Sequence, residues 1–122
     1  MATLRGRVVT GAGDLHRWMQ RYSDEYQAAT GLHLYPGSLN IRLDDPWVLP
    51  DDTLRLPAER VGRSVHLVPC SFMGSDCFIF RTDKAELAGG EEHLVLEVVS
   101  TVGLRTAHGL SDGDLVEVTV AD

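Results

Sequence analysis

The stretch Tyr35-Pro36-Gly37-Ser38-Leu39-Asn40-Ile41-Arg42-Leu43 places a rigid turn directly before an apolar strand. Proline fixes φ and glycine adopts backbone angles that other residues avoid, so Ser38 and Asn40 enter the strand with a defined geometry. Because successive side chains of a strand point to opposite faces, the apolar residues face the core, while Ser38 and Asn40 share the other face. Two neutral oxygen ligands then lie side by side, where a phosphate-bound hard cation can sit. A turn that caps its own backbone explains the same two residues.

The composition indicates one soluble domain over residues 1–122, with 43% hydrophobic and 24% charged residues. The formal net charge of -7 disfavours nucleic acid and anionic membranes as partners, because both attract clustered Lys and Arg. No apolar run approaches the roughly 20 residues of a membrane span, and the N-terminus lacks the apolar core of a signal peptide. We therefore expect a cytoplasmic protein.

The sequence contains none of the common catalytic motifs. Cys70 and Cys77 have neither zinc-knuckle spacing nor the density of a disulfide scaffold, so they are expected to be buried thiols without a chemical role. A zinc site is not expected either, because the five histidines are scattered along the chain: His16, His33, His66, His93 and His108. No nucleophile elbow and no His-Glu-x-x-His helix is present.

Apolar periodicity predicts a strand and then a helix in the first quarter of the chain. Residues 4–9 alternate as a strand, and small residues at 10–14 form a loop. Apolar and aromatic residues then recur at helical spacing, which predicts one amphipathic helix capped by Asp14 and ended by Gly31: Leu15, Trp18, Met19, Tyr22, Tyr26 and Ala29.

The middle of the chain is predicted to form a hairpin between two loops. Residues 44–57 are acidic and contain prolines, which indicates a connecting loop with at most short extended pieces. The runs 65–72 and 77–81 are strand-like, and the Met73-Gly74-Ser75-Asp76 segment between them suits a hairpin turn with glycine first. Pro69 favours an edge or a bulge. The polar run 83–92 is expected to be an exposed loop.

The last part of the chain is predicted to contain two strands and a short helix. Residues 94–99 form the strongest strand, Ser100 or Thr101 caps a helix through His108, and residues 115–120 form the final strand. Since strands outnumber helices and full crossover helices are lacking, we expect a mainly β fold with minor α. The predicted architecture is a small closed or nearly closed barrel of about six strands, with one amphipathic helix and one short helix.

Two loop-to-helix junctions can hold an anion. Backbone N–H groups and the positive end of the helix dipole meet at the segments 11–17 and 102–105. The guanidinium of Arg105 is always charged, and its forked arrangement of N–H donors suits phosphate. Glu97 places a carboxylate in the middle of the strongest strand. Plain turns, an exposed arginine and a solvent-facing strand position account for the same residues.

Taken in order, these segments resemble the archaeal-type CTP-dependent riboflavin kinase family. The residues that carry the resemblance are Gly11-Ala12-Gly13, Pro36-Gly37-Ser38-Leu39-Asn40, Leu96-Glu97-Val98-Val99, Gly103-Leu104-Arg105 and Leu110-Ser111-Asp112-Gly113-Asp114. The resemblance extends from about Gly6 to Val120. It implies a cradle-loop barrel that uses Mg²⁺ and transfers a phosphoryl group from CTP to riboflavin, giving FMN and CDP.

The resemblance also implies roles for individual residues. Ser38 and Asn40 match the magnesium ligands, while Glu97 and Thr82 match the flavin-binding residues. The nucleotide-binding segments correspond to Ala12, Gly13, Asp14, Leu15, His16, Arg17, Val102, Gly103, Leu104 and Arg105.

Two departures from the family pattern are visible. The first loop has Asp14-Leu15-His16 where relatives usually carry a second glycine-containing step with a Glu between glycines, and Ser38 replaces a threonine but keeps the hydroxyl. The loop change leaves open an alternative function, a flavin- or nucleotide-binding barrel that has lost kinase activity. A third reading is a small-barrel interaction module, which the acidic charge disfavours where the partner is nucleic acid.

Overall fold

The computed structural model describes residues 2–11 and 15–120. The strands are β1 (Ala2–Val9), β2 (Leu39–Leu43), β3 (Leu54–Leu56), β4 (Val65–Phe72), β5 (Ser75–Thr82), β6 (Val95–Val99) and β7 (Leu115–Val120). The α-helices are α1 (Leu15–Arg21), α2 (Ser23–Thr30), α3 (Ala58–Val61), α4 (Asp83–Ala88) and α5 (Leu104–Ala107), and a 3₁₀ helix spans Gly90–Leu94. Within the described ranges, no helix has the length and apolar character needed to cross a bilayer.

Six of the strands form a closed antiparallel barrel. The order is β4-β5-β6-β2-β1-β7, and β7 returns to β4 through the pairs Cys70 with Val120 and Ser71 with Thr119. The predicted barrel of about six strands is therefore confirmed, and β3 adds a seventh strand that pairs with the first half of β4, on the same edge as β7. Pro69 lies between the part of β4 that pairs with β3 and the part that pairs with β7, where its missing N–H costs no ladder bond to either.

The barrel interior and the outer face of the sheet carry separate apolar clusters. Leu39, Ile41 and Leu43 of β2 point inward and are buried, as the alternation predicts. A second cluster lies outside the barrel, where α1 and α2 cover β4, β5 and β6 through Met19, Tyr26 and Phe80. The predicted aromatic stripe is thus part of the core. The turn before β2 contacts α1, since Gly37 N–H donates to the sulfur of Met19.

The predicted single helix over residues 15–30 is wrong in one respect, because α1 ends at Arg21 and α2 begins at Ser23. Backbone hydrogen bonds continue across the junction, from Tyr22 N to Trp18 O and from Tyr26 N to Tyr22 O, both 3.0 Å. The helical spacing therefore persists while Tyr22 departs from helical angles. Gly31 ends α2 with a φ of 76°, as predicted. The cap predicted at Asp14 falls outside the described residues.

The exposed loop predicted for residues 83–92 is also wrong. Thr82 caps a helix here, because its Oγ1 accepts a hydrogen bond of 3.0 Å from Ala85 N, and α4 and the 3₁₀ helix follow. Arg81 is buried and donates to Glu86 of α4 at 3.0 Å, which fixes the helix on the barrel. Asp83 and Glu86 of this run are half-buried, while Lys84, Glu91 and Glu92 are exposed, so the run is helical but largely on the surface.

Two smaller predictions are corrected at turns. The β4–β5 hairpin does not begin its turn with glycine: Met73 has a φ of 49° and Gly74 a φ of 82°, so both turn residues are left-handed. The short helix α5 starts at Leu104 rather than after Ser100 or Thr101. Gly103 is the residue at its N-cap and has an extended backbone.

Candidate functional site

Three oxygen atoms meet on the outer face of the barrel at the start of β2. The Ser38 hydroxyl lies 3.3 Å from Asn40 Oδ1 and 3.1 Å from Glu97 Oε1. Asn40 pairs directly with Glu97 across β2 and β6, so the sheet register itself sets this arrangement. Ser38 and Asn40 share a face, as predicted, and both are half-buried.

The chemistry of these oxygens fits a hard cation. A hydroxyl carries one hydrogen, so Ser38 cannot donate a full hydrogen bond to both Asn40 and Glu97, and the three oxygens hold more lone pairs than protons. A Mg²⁺ ion prefers such oxygen ligands, usually with one or two carboxylates and substrate phosphates completing its shell. Over residues 2–11 and 15–120, no cluster of three or more His, Cys, Asp or Glu offers another metal site.

Gly11, at the start of the first loop, lies against this cluster. A Cβ added to Gly11 would collide with the carboxamide of Asn40, so the backbone after β1 passes directly over that side chain. The N–H of Gly37 donates to the sulfur of Met19 at 3.3 Å, which fastens the turn before β2 to α1. Leu15 is buried, while His16 and Arg17 are exposed on the first turn of α1. Ala12, Gly13 and Asp14 lie outside the described residues.

The second junction lies on the other side of the same turn. A cavity of about 130 Å³ opens between the start of β2 and the start of α5, and its lining includes Ser38 together with the whole segment Val102–Arg105. The N–H of Tyr35 donates to Ser100 O at 2.8 Å, which holds the two segments together. Leu104 is buried and anchors α5, whereas Val102 and Arg105 are exposed.

A hydrogen-bond network that the sequence analysis missed connects the two junctions. Asp112 accepts from Thr10 Oγ1 at 2.8 Å and from Arg105 Nη2 at 2.7 Å, so it joins the end of β1 to α5. These bonds lower the pKa of the Asp112 carboxyl below its usual value, and the bond from Arg105 has the larger effect. The signal available in the sequence was the Ser-Asp-Gly-Asp turn, but its partner Thr10 is 102 residues away.

The two predicted flavin residues occupy different environments. Glu97 lies on the outer face of β6, opposite the buried Leu96 and Val98 as alternation predicts, and it is half-buried with its carboxylate at the Ser38 hydroxyl. Thr82 lies two residues along β5 from Phe80, the cross-strand partner of Glu97, and its hydroxyl caps α4. The structure thus brings Glu97 into the oxygen cluster and gives Thr82 a capping role.

Two contacts next to the oxygen cluster, between the β2 region and the 3₁₀ helix, were also not predicted from the sequence. Arg42 follows Asn40 on the same face of β2 and donates to Glu91 of the 3₁₀ helix at 2.8 Å. The Trp47 N–H donates to His93 O at 2.9 Å, so the loop after β2 is bound to the same helix. These pairs join residues nearly fifty positions apart, a separation at which sequence pattern carries no signal.

The two cysteines are buried, free and directly opposite each other on β4 and β5, as Cys70 pairs with Cys77. Burial raises the pKa of Cys70 to about 12 and also raises that of Cys77. Both thiols therefore stay protonated at neutral pH, which agrees with the expectation that they serve packing.

The structure thus defines a small closed antiparallel barrel with an oxygen cluster on its outer face, next to the end of β1 and the start of α5. Comparison with known proteins gives the family. Residues 8–120 match the family model CTP-dep_RFKase, described as "Domain of unknown function DUF120". The chain therefore belongs to the CTP-dependent riboflavin kinase family.

Several curated proteins of archaea are similar over nearly the whole chain. The riboflavin kinase of Methanospirillum hungatei is 35% identical over 134 residues, which cover 96% of this chain and 57% of that protein. The riboflavin kinase of Methanocella arvoryzae is 29% identical, covering 96% and 56%, and that of Staphylothermus marinus is 27% identical, covering 98% and 92%. The chain thus spans little more than half the length of two of these relatives.

Proposed function

We propose that this chain is a riboflavin kinase that transfers the γ-phosphoryl group of CTP to the terminal ribityl hydroxyl of riboflavin, giving FMN and CDP. In this step a bond forms between the hydroxyl oxygen and the γ-phosphorus, the bond from that phosphorus to the β,γ-bridging oxygen breaks, and the hydroxyl loses its proton. The observation that carries the proposal is the convergence of Ser38, Asn40 and Glu97 between two junctions that can receive phosphates.

Positioning supplies most of the catalysis in this proposal. Phosphoryl transfer passes through a loose transition state, so an enzyme gains mainly by aligning the acceptor and stabilising charge on the phosphate oxygens. When bound, Mg²⁺ would supply electrostatic stabilisation of the phosphate charge. Ser38 and Asn40 would hold it, and backbone N–H groups at the two junctions would bind the remaining phosphate oxygens.

Glu97 has a second role in the proposal. Its carboxylate lies 3.1 Å from the Ser38 hydroxyl, next to the proposed metal ligands. From there it can orient the ribityl chain and accept the hydroxyl proton.

The test is to incubate the purified protein with riboflavin and Mg²⁺ plus CTP, ATP or GTP, and to resolve FMN by chromatography. Ser38→Thr and Ser38→Ala provide a matched pair, since the threonine keeps the hydroxyl and the alanine removes it. We expect FMN with CTP in the wild type and in S38T, and a large loss in S38A. Equal rates in S38T and S38A would contradict a role for this hydroxyl.

A non-catalytic flavin- or nucleotide-binding barrel is the second candidate. It is favoured by the Asp14-Leu15-His16 sequence of the first loop, which is bulkier than the glycine step of the family. Retained quenching of riboflavin fluorescence on binding, with no FMN formed from any of the three nucleotides, would support this candidate over the kinase.

A further inference from the structure

One exposed aromatic ring stands at the cavity of the second junction. Tyr35 is 51% exposed, whereas every other Phe, Trp and Tyr among the described residues is buried or half-buried. Its ring lines the same cavity as Ser38, Gly103 and Arg105. The ring therefore offers an aromatic surface to a ligand that enters this cavity.

The structure fixes the backbone of Tyr35 and packs its ring against Gly103. Its N–H donates to Ser100 O at 2.8 Å, and the following Pro36 restricts its backbone to extended angles. A Cβ on Gly103 would lie 3.1 Å from Cζ of the ring, closer than such contacts normally allow, and a Cβ on Gly37 would lie 3.9 Å from Cε1. The contact from Gly37 is an ordinary van der Waals distance, so it is Gly103 that lets the ring pack closely against the backbone of the second junction.

The register of the sheet separates this ring from the predicted flavin residues. Tyr35 and Ser38 precede β2, Asn40 and Arg42 lie in it, and Asn40 is level with Glu97. The residue on β6 that pairs with Arg42 is Val95, and continuing the β5–β6 register places Thr82 level with it. Tyr35 and Thr82 thus lie beyond opposite ends of the oxygen cluster.

We propose that Tyr35 is the stacking platform for the nucleobase of the phosphoryl donor, held against Gly103 at the cavity of the second junction. The inference rests on the proposed function, because the donor phosphates must lie at Ser38 and Asn40. With the phosphates there, the nucleoside extends along the cavity lined by Val102–Arg105, and its base reaches the Tyr35 ring. A stacked pyrimidine would cover the aromatic surface that is now exposed.

Calorimetric titration tests this with two probes, CTP and inorganic tripolyphosphate, each in Mg²⁺. The variants are Tyr35→Ala and Tyr35→Phe, with Met73→Ala at the β4–β5 hairpin as a control for loss of an exposed apolar side chain. Stacking on one base corresponds to about a 5- to 150-fold change in affinity. We expect that loss of CTP affinity in Y35A, near wild-type affinity in Y35F and M73A, and tripolyphosphate affinity unchanged within about twofold.

The outcomes separate this inference from the proposed function. If the wild type forms FMN and Y35A binds CTP as tightly as the wild type, the stacking role fails and the kinase assignment stands. If Y35A loses CTP and tripolyphosphate affinity equally, Tyr35 only supports the fold of the turn and the inference is overturned. If the wild type binds no nucleoside triphosphate, both the stacking role and the kinase fail.

Discussion

At the scale of single residues, the site depends on a few oxygen atoms whose positions follow from strand alternation and pairing. Ser38 and Asn40 point away from the core because Leu39 and Ile41 point into it. Glu97 joins them because β6 pairs with β2 in a register that sets Asn40 opposite Glu97. The first relation is visible in the sequence, while the second requires the fold, since 59 residues separate Ser38 and Glu97.

Asn40→Ala is expected to abolish most of the FMN formation while leaving the fold intact. Loss of even an outer partner of a metal ligand costs roughly 10- to 100-fold, so loss of a direct ligand should cost at least about 100-fold in turnover. Asn40 is half-buried on the outer face, so the melting temperature should change little. Turnover and thermal melts measured together check both points, and wild-type turnover in N40A would rule out the metal role.

At the scale of elements, Asp112 links the end of β1 to α5. Thr10 follows β1 and Arg105 lies in α5, and both donate to the same carboxylate. This bridge should hold the guanidinium of Arg105 near the end of β1, where the first loop begins.

Asp112→Asn should therefore raise the KM for CTP by about two- to fivefold and leave the KM for riboflavin unchanged, since exposed ion pairs are individually weak. Glu117→Gln is the matched control, because it breaks an exposed ion pair of 2.9 Å with Arg5 along β1 and β7. Steady-state kinetics with each substrate varied in turn make the measurement. A rise of equal size for both substrates would show that Asp112 supports the fold in general.

The contact between elements that we expect to depend on pH lies at the start of α4. Asp83 accepts from Arg55 Nη2 at 2.8 Å and from His66 Nε2 at 2.5 Å, and the Arg55 hydrogen bond chiefly lowers its pKa from the usual 3.8. A lowered carboxyl pKa stabilises the fold above the unfolded value, and this stabilisation is lost as pH falls through the folded value.

Asp83→Asn should lower the melting temperature by about 1–5 °C at pH 7. The difference from the wild type should shrink below about pH 4, where Asp83 becomes protonated. Thermal melts between pH 7 and pH 2.5 follow this. A difference that stays constant to pH 2.5 would mean that charge on Asp83 contributes nothing.

The helices show where sequence reasoning reaches its limit. The spacing of Leu15, Met19 and Tyr26 predicted a buried helical face correctly, because periodicity reports burial directly. The polar run after Thr82 was misread as a loop, because Arg81 and Glu86 form a largely buried pair that composition alone makes look solvated. The Asp112 bridge and the Arg42–Glu91 pair depend on contacts between distant segments, which no local pattern encodes.

At the scale of the whole molecule, the barrel is what keeps the start of β2 fixed. Its closure uses two residue pairs between β4 and β7, and its interior is filled by inward side chains from all six barrel strands. Alternation and turn residues predicted this barrel, since most strands are long enough to show a period of two.

Ile79→Ala should lower the free energy of unfolding by about 2–5 kcal/mol, because Ile79 is fully buried in the barrel interior and its removal leaves a cavity. Leu87→Ala is the control: Leu87 is 87% exposed on α4, and its loss should change stability by less than about 0.5 kcal/mol. Urea unfolding curves compare the two. Equal effects would contradict this description of the core.

The central claim is that the oxygens of Ser38 and Asn40 hold the metal that accompanies the donor nucleotide. A crystal structure with CDP and Mn²⁺ in place of Mg²⁺, analysed by anomalous scattering, measures this directly. The account predicts an anomalous peak within about 2.5 Å of Ser38 Oγ and Asn40 Oδ1, with the phosphates of CDP beside it. A metal peak elsewhere on the protein, with CDP bound away from the start of β2, would contradict it.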